Sequence, residues 1–256
     1  MKIRRREFIG LLSAAGIGVS GFSERVAFPK TGRIQAIAID AFVVFDPRPI
    51  AESTEELFPG RGKEFANLWR TRQFEYTWLR TIGNRYKDFR QVTEDALNHV
   101  ASELRISLTE TQRERLLAMY GRLPVWPDVP ETLAELRRRN IRMAFLSNLS
   151  ATMLDSNLAA VKLSEFFEPH LTTDRVQSFK PSPAAYEMGP NGFGLDLPEI
   201  AFAASASWDA VGAKWFGYPT VWVNRTNAQS EHLDIQADAM TPKFKGVAEW
   251  LDQMRS

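Results

Sequence analysis

Short apolar runs of strand type alternate with helical segments, and one long stretch in the first half of the chain keeps helical spacing throughout. Together these observations predict an α/β fold, a Rossmann-like doubly wound parallel sheet core with an inserted all-helical cap. Composition agrees. The 256 residues are 44% hydrophobic, enough for a core domain and a smaller insert. The net charge of +1 arises from interspersed charges rather than from a basic face, so the electrostatic footprint of a nucleic-acid binder is missing and a small-molecule enzyme fits better. The sequence has no cysteine, which removes disulfides, thiolate nucleophiles and thiolate metal sites. The three histidines, His99, His170 and His232, never fall at a spacing that would put two imidazoles on one helix face, and no metal site is expected from them.

Taken in order, residues 1–30 stand apart. Lys2, Arg4, Arg5 and Arg6 precede an apolar run at residues 8–19 that is too short to span a bilayer in a mature chain. The order Arg5, Arg6, Glu7, Phe8, Ile9 resembles a twin-arginine export signal, which implies the Tat export machinery as a partner and a periplasmic location. A basic tail, or an arm lying on a cytoplasmic protein, is the other reading. Residues 34–39 form an apolar run rich in isoleucine that ends in Asp40, the pattern of a buried parallel strand. Pro47 and Pro49 then interrupt the pattern. From residue 55 to 121 apolar side chains recur at three-to-four spacing, through Phe65, Leu68 and Trp69, then Phe74, Trp78 and Leu79, then Ala96, Leu97, Val100 and Leu104. Alternation resumes at Pro124 with a helix at 130–139, which begins with proline and ends in a basic cluster suited to the helix dipole. Strands are expected at 141–146, 170–173, 200–204 and 220–223, with helices between them. The expected organisation is therefore a leader at 1–30, a core at 31–46 and 123–256, and a helical cap at 47–122.

Polar groups fall where strands should end: Asp40 after the first, Ser147 and Asn148 after the second, then Lys180, and Asp209 after a later one. Singly these are weak signals, because a strand-end aspartate is often a helix cap and a Ser-Asn pair a common turn. In this order they become specific, since parallel strands bring their carboxyl ends to one rim of the sheet.

The succession of Asp40, Leu146-Ser147-Asn148, Lys180-Pro181 and Asp209 resembles the four motifs of the haloacid dehalogenase superfamily. Longer stretches resemble its L-2-haloacid dehalogenases (type II): Phe-Pro-Gly-Arg-Gly at 58–62, Leu-Trp-Arg at 68–70, Glu-Tyr-Thr-Trp-Leu-Arg at 75–80, Thr-Glu-Asp-Ala-Leu at 93–97 and Trp-Asp-Ala-Val-Gly-Ala at 208–213. The resemblance implies hydrolysis of a small 2-halo carboxylate to a 2-hydroxy acid, with no metal and no cofactor. It implies that Asp40 displaces the halide to give an ester that water then hydrolyses, and that Lys180 lies beside Asp40 and pairs with the substrate carboxylate. Ser147 would bind that carboxylate too. Arg70 and Asn148 would receive the halide, and Asp209 would orient Lys180 and assist the water. Phe42, Phe74, Phe89 and Trp208 would wall the pocket, with Tyr186 a polar residue of the site. A homodimer is one assembly the resemblance allows.

One position separates dehalogenation from phosphoryl transfer. Phosphatases of the superfamily need a second aspartate two residues after the nucleophile, to protonate a leaving alkoxide, and a magnesium ion; here that position is Phe42. A halide leaves without a proton. The chain also departs from its family, with Val43 and Val44 in place of a Gly-Thr pair, and Ala204, Ser205 and Ala206 in place of Ser-Ser-Asn. In an extended segment Ser205 and Ser207 would face away from the positions left by Ala204 and Ala206 and could replace them only with a local shift, so the second step is expected to suffer. Three functions stay open on the sequence: a dehalogenase with an altered second step, a binder of small carboxylates, and a hydrolase of another small electrophilic acid.

Overall fold

The first strand, β1 (Ala36–Ile39), is buried along its whole length because helices cover both faces of the sheet. Its side chains alternate, with Ile37 and Ile39 entering one apolar cluster and Ala36 and Ala38 the other. The computed structural model describes residues 33–254, so the export signal expected at 1–30 lies outside the described residues. After β1 the chain passes through a short helix α1 (Ala41–Val44) and then α2 (Arg48–Leu57), α3 (Gly62–Ile82), α4 (Phe89–Glu103) and α5 (Glu110–Met119). It returns through α6 (Val129–Arg138), β2 (Arg142–Ser147), α7 (Ala151–Val161), β3 (Leu171–Thr172) and α8 (Pro183–Phe193). The remainder is β4 (Ile200–Ala204), α9 (Ser207–Phe216), β5 (Thr220–Val223), β6 (Ala239–Thr241) and α10 (Lys245–Gln253).

All strand pairs are parallel, in the order β3-β2-β1-β4-β5-β6. The α/β architecture expected from the sequence is therefore present. The strand order reverses at β1, whose last residue, Ile39, sits in register with Phe145 of β2 and Ala203 of β4. A crevice forms at such a reversal, outside the carboxyl ends of the strands. Asp40, Ser147 and Ser205, each at or just past the end of one of these three strands, are thus delivered to one place.

The strands at 200–204 and 220–223 coincide with expectation, while that at 170–173 shortens to two residues before a 3-10 turn. Strand β6 was not anticipated; three residues with Met240 exposed carry no readable period. Pro49 does not interrupt the helical stretch but sits in the first turn of α2, where an N–H would have no intrahelical partner.

Helices α2 to α5 bury Ile50, Phe65, Trp69, Phe89, Leu97 and Leu116 in the same cluster as Ile37 and Ile39, so they share one core with the sheet. The described residues, 33–254, belong to one compact unit. A buried polar chain ties the helices together: Trp69 Nε1 donates to the Thr93 carbonyl at 2.8 Å, Gln73 Nε2 to Thr93 Oγ1 at 2.9 Å, and Tyr120 Oη to Gln73 Oε1 at 2.9 Å. Gly62 opens α3 with α2 so close that a Cβ there would lie 2.2 Å from the Glu55 backbone, which accounts for the second glycine of Phe-Pro-Gly-Arg-Gly. No helix among the described residues is long and apolar enough to cross a membrane.

Candidate active site

Asp40 leaves β1 in extended conformation and caps α1, accepting the Phe42 N–H on Oδ1 at 3.1 Å. Capping and chemistry are therefore not alternatives at this residue. Its other oxygen, Oδ2, accepts from Lys180 Nζ at 2.8 Å, and the Ser205 hydroxyl donates to Oδ1 at 2.6 Å. Lys180 also donates to Asp209 Oδ2 at 2.6 Å and to the Leu146 carbonyl at 3.2 Å. These bonds use all three ammonium hydrogens. At 1% exposure, Lys180 serves the two carboxylates, and it would have to release one of them to pair with a substrate carboxylate as the sequence reading expected.

Asp209 lies in the first turn of α9, but Ala206 is the N-cap residue and Asp209 points inward. Tyr186 Oη donates to Asp209 Oδ1 at 2.8 Å. Tyr186 is completely buried behind Asp209 and does not line the cavity, so it supports Asp209 rather than contacting a ligand. Gly212 makes room for this contact, since a Cβ there would lie 2.4 Å from the tyrosine hydroxyl. Burial pushes Asp209 up to about 6; the Lys180 ammonium opposes that rise and the Asp40 charge adds to it. Burial works against the Lys180 charge, but the Asp209 and Asp40 carboxylates together outweigh it and raise the ammonium above its ordinary value.

A small cavity opens above Asp40, lined from the sheet side by Ser147, Asn148, Lys180, Ser205 and Asp209, and from the helical side by Arg70, Phe74 and Phe89. Phe42 and Trp208 complete its wall, so ten of the eleven residues expected at the site meet here, Tyr186 standing behind them. Arg70 projects from α3 over the Phe74 ring at 5.7 Å and has no carboxylate partner among the described residues. Phe74 meets Trp208 edge-on at 5.3 Å, which joins α3 to the start of α9 across the mouth. Asn148 accepts the Lys180 N–H on Oδ1 at 3.0 Å, an orientation that leaves its amide N–H groups unengaged. Ser147 accepts the Leu149 N–H on Oγ at 3.0 Å. A roomier open cleft of about 650 Å³, beside Asp155 and His170, contains none of these groups and is not the site.

Two contributors escaped the sequence reading. The first is Ser205. The chain bends just after β4, so strict alternation fails; the Ser205 hydroxyl turns to Asp40, while the Ser207 hydroxyl accepts the Glu231 N–H at 2.7 Å. The local shift that such a serine needs is thereby present at Ser205 and not at Ser207. The second is a clamp on α1. Trp126 Nε1 donates to the carbonyls of Phe42 and Phe45 at 3.2 and 3.1 Å, and Arg225 donates to the Val43 carbonyl at 2.9 Å. Asp128 holds Arg225 at 2.9 Å, and Arg225 and Arg48 both stack on the Trp126 ring. Val43 and Val44 are fully buried and fill core in place of the family's Gly-Thr pair. No group of three or more His, Cys, Asp or Glu side chains among the described residues could hold a metal ion.

Comparison with known proteins agrees with this geometry. Residues 23–217 match the model of a family described as haloacid dehalogenase-like hydrolase. The chain belongs to that family. An (S)-2-haloacid dehalogenase of Pseudomonas sp. (strain YL) is 40% identical to this hydrolase over 217 residues, spanning 84% of this chain and 94% of the relative. Haloacetate dehalogenase H-2 of Moraxella sp. (strain B) is 34% identical over 84% of this chain and 96% of its own length. Among solved structures, an L-2-haloacid dehalogenase from Xanthobacter autotrophicus is 29% identical with a TM-score of 0.80, over 86% of this chain and 99% of that one. A second structure of the Xanthobacter protein has chloropropionic acid covalently bound. Within this hydrolase, the buried trio of two carboxylates and one ammonium places the Asp40 carboxylate beneath a cavity walled by aromatic rings, with Arg70, which has no carboxylate partner among the described residues, standing opposite. Such a site can bind a small anion with an apolar body and attack it from below.

Proposed function

We propose that this hydrolase cleaves small L-2-halo acids to 2-hydroxy acids through an ester on Asp40, without a metal ion. The observation that carries the reading is the Asp40 carboxylate, fixed by Lys180 and Ser205 at the floor of a cavity whose wall includes Phe42 where a phosphatase would place its second acid. Oδ2 attacks C2 as the carbon–halogen bond breaks, and the halide takes the bonding electrons with inversion at C2. Arg70 and the free amide of Asn148 supply a delocalised cation and N–H donors for the halide and carboxylate. Phe42, Phe74, Phe89 and Trp208 exclude bulk water, which strengthens these interactions and leaves the nucleophile poorly hydrated. Water then attacks Cγ of Asp40, passing a proton to Asp209. The Cγ–Oδ2 bond breaks, and the leaving alkoxide takes up that proton to become the 2-hydroxy acid, while the second water proton leaves the regenerated Asp40 carboxyl for solvent. Metal independence is supported by the Lys180 ammonium, which already supplies positive charge between the two carboxylates at 2.8 and 2.6 Å. The covalent adduct in the Xanthobacter relative, which is similar over most of the chain, supports the ester.

The test is halide release from L-2-chloropropionate in the presence of a chelator, followed across pH. Sustained release is expected, with an acid limb centred near pH 6, where Asp209 takes up a proton and ceases to accept one from water. The sign follows from the raised value: ionising Asp209 costs the folded protein stability as pH rises through the interval up to about 6, and the same ionisation restores activity. Release that requires added metal, or none at any pH, would contradict the reading.

A further inference from the structure

The departures from the family pattern at Val43, Val44, Ala204 and Ala206 leave Asp40 Oδ1 with two hydrogen-bond donors, the Phe42 N–H at 3.1 Å and the Ser205 hydroxyl at 2.6 Å. We propose that Ser205 is the oxyanion donor of ester hydrolysis in this protein, standing in for the polar groups that those positions lack. This rests on the ester mechanism above.

The direction of the bond is fixed by chemistry, because a carboxylate oxygen only accepts and the hydroxyl must donate. Its geometry is fixed by the fold. The Ser205 carbonyl accepts from Trp222 Nε1 at 3.3 Å, which pins the bend between β4 and α9, and the hydroxyl lies at the cavity wall. Asp40 therefore has two unlike oxygens. Oδ2 faces the ammonium and has a single donor; Oδ1 is held by a backbone N–H and a hydroxyl, the arrangement that stabilises an oxyanion. Oδ2 is accordingly the attacking atom and Oδ1 becomes the ester carbonyl oxygen.

This assignment makes the two chemical steps respond oppositely to Ser205. During alkylation the carboxylate charge is consumed, Oδ1 changes from half an anion to a neutral carbonyl, and its bond to Ser205 weakens. During hydrolysis the water oxygen bonds to Cγ, its proton passes to Asp209, and the electron pair of the carbonyl moves onto Oδ1. The Ser205 bond then strengthens, and only interactions stronger in the transition state than in the ground state accelerate a step. When the pair returns, Cγ–Oδ2 breaks, and Asp40 keeps Oδ1 together with the oxygen from water.

Rapid-quench halide release by the purified full chain with L-2-chloropropionate, with intact mass on quenched samples, tests the proposal. For Ser205→Ala the expected result is a burst of one halide per site at the wild-type rate or faster. A steady state slowed by roughly a hundredfold or more should follow, with the 1-carboxyethyl ester of Asp40 accumulating. Ser205→Thr, which keeps the donor, should return the steady state towards wild type, and Ser205→Cys, with a weak S–H donor, is read like the alanine variant should alanine fail to fold. Burst and steady state slowed together without adduct would mean that Ser205 merely holds the nucleophile, and would overturn the proposal, as would an unchanged steady state. A wild-type chain that releases no halide and forms no adduct would instead sink the ester mechanism, and this role with it.

Discussion

Asp40→Asn is expected to lower halide release by at least roughly ten-thousand-fold while leaving the fold intact or slightly more stable. The activity loss follows from removing the carboxylate that Lys180 and Ser205 fix at the cavity floor; Asp209, 1% exposed and bonded to both Lys180 and Tyr186, is too constrained to take over as nucleophile. The stability expectation follows from charge. Native protein buries two carboxylates against one ammonium, and the variant buries one against one, relieving like-charge repulsion that helps to raise Asp209. A melting temperature at or above that of the wild type, with halide release lost, checks both halves. Retention of a tenth of the activity would remove Asp40 from the nucleophile's role.

The second large effect is on stability as well as rate. Lys180→Met keeps the apolar stem and removes the charge, leaving Asp40 and Asp209 facing each other in a buried pocket with no counter-ion. Breaking a buried ion pair by removing one partner costs about 3–5 kcal/mol, and denaturant unfolding at pH 8 should show a loss of that order. At pH 5 the loss should be smaller. With the cation gone, Asp209 loses the charge that opposes its burial-driven rise and holds its proton more tightly than in the unfolded chain, so stability falls as pH rises. Halide release should drop roughly a thousandfold, because the group that orients the nucleophile is gone. A variant as stable as wild type at pH 8 would mean that the two carboxylates are not the close neighbours described above.

The sequence carries the framework because the physical signals are local. An apolar run closed by an acid marks β1 and Asp40, and the runs that become β4 and β5 have no other reading in an alternating pattern. The parallel rule then brings Asp40, Ser147, Lys180 and Asp209 to one rim without any distance being known. What escapes is set by geometry between elements or by small departures from periodicity. A bend of two residues after β4 turns Ser205 towards Asp40, against the alternation an extended strand would impose. The Arg225–Val43 contact closes a separation of 182 residues, and nothing local to either residue signals it. Tyr186 was expected against the ligand, but it stands behind Asp209, a place that depends on the room left by Gly212 in a neighbouring helix.

The most direct test of the central claim, attack by Asp40 followed by hydrolysis at Cγ, is the fate of the solvent oxygen in a single turnover with enzyme in excess over L-2-chloropropionate in oxygen-18 water. The mechanism predicts unlabelled 2-hydroxypropionate, whose hydroxyl oxygen comes from Asp40, and one labelled oxygen in the peptide containing Asp40. Label in the product hydroxyl with none in Asp40 would show that water attacks C2 directly, and would contradict the assignment of Asp40 as nucleophile.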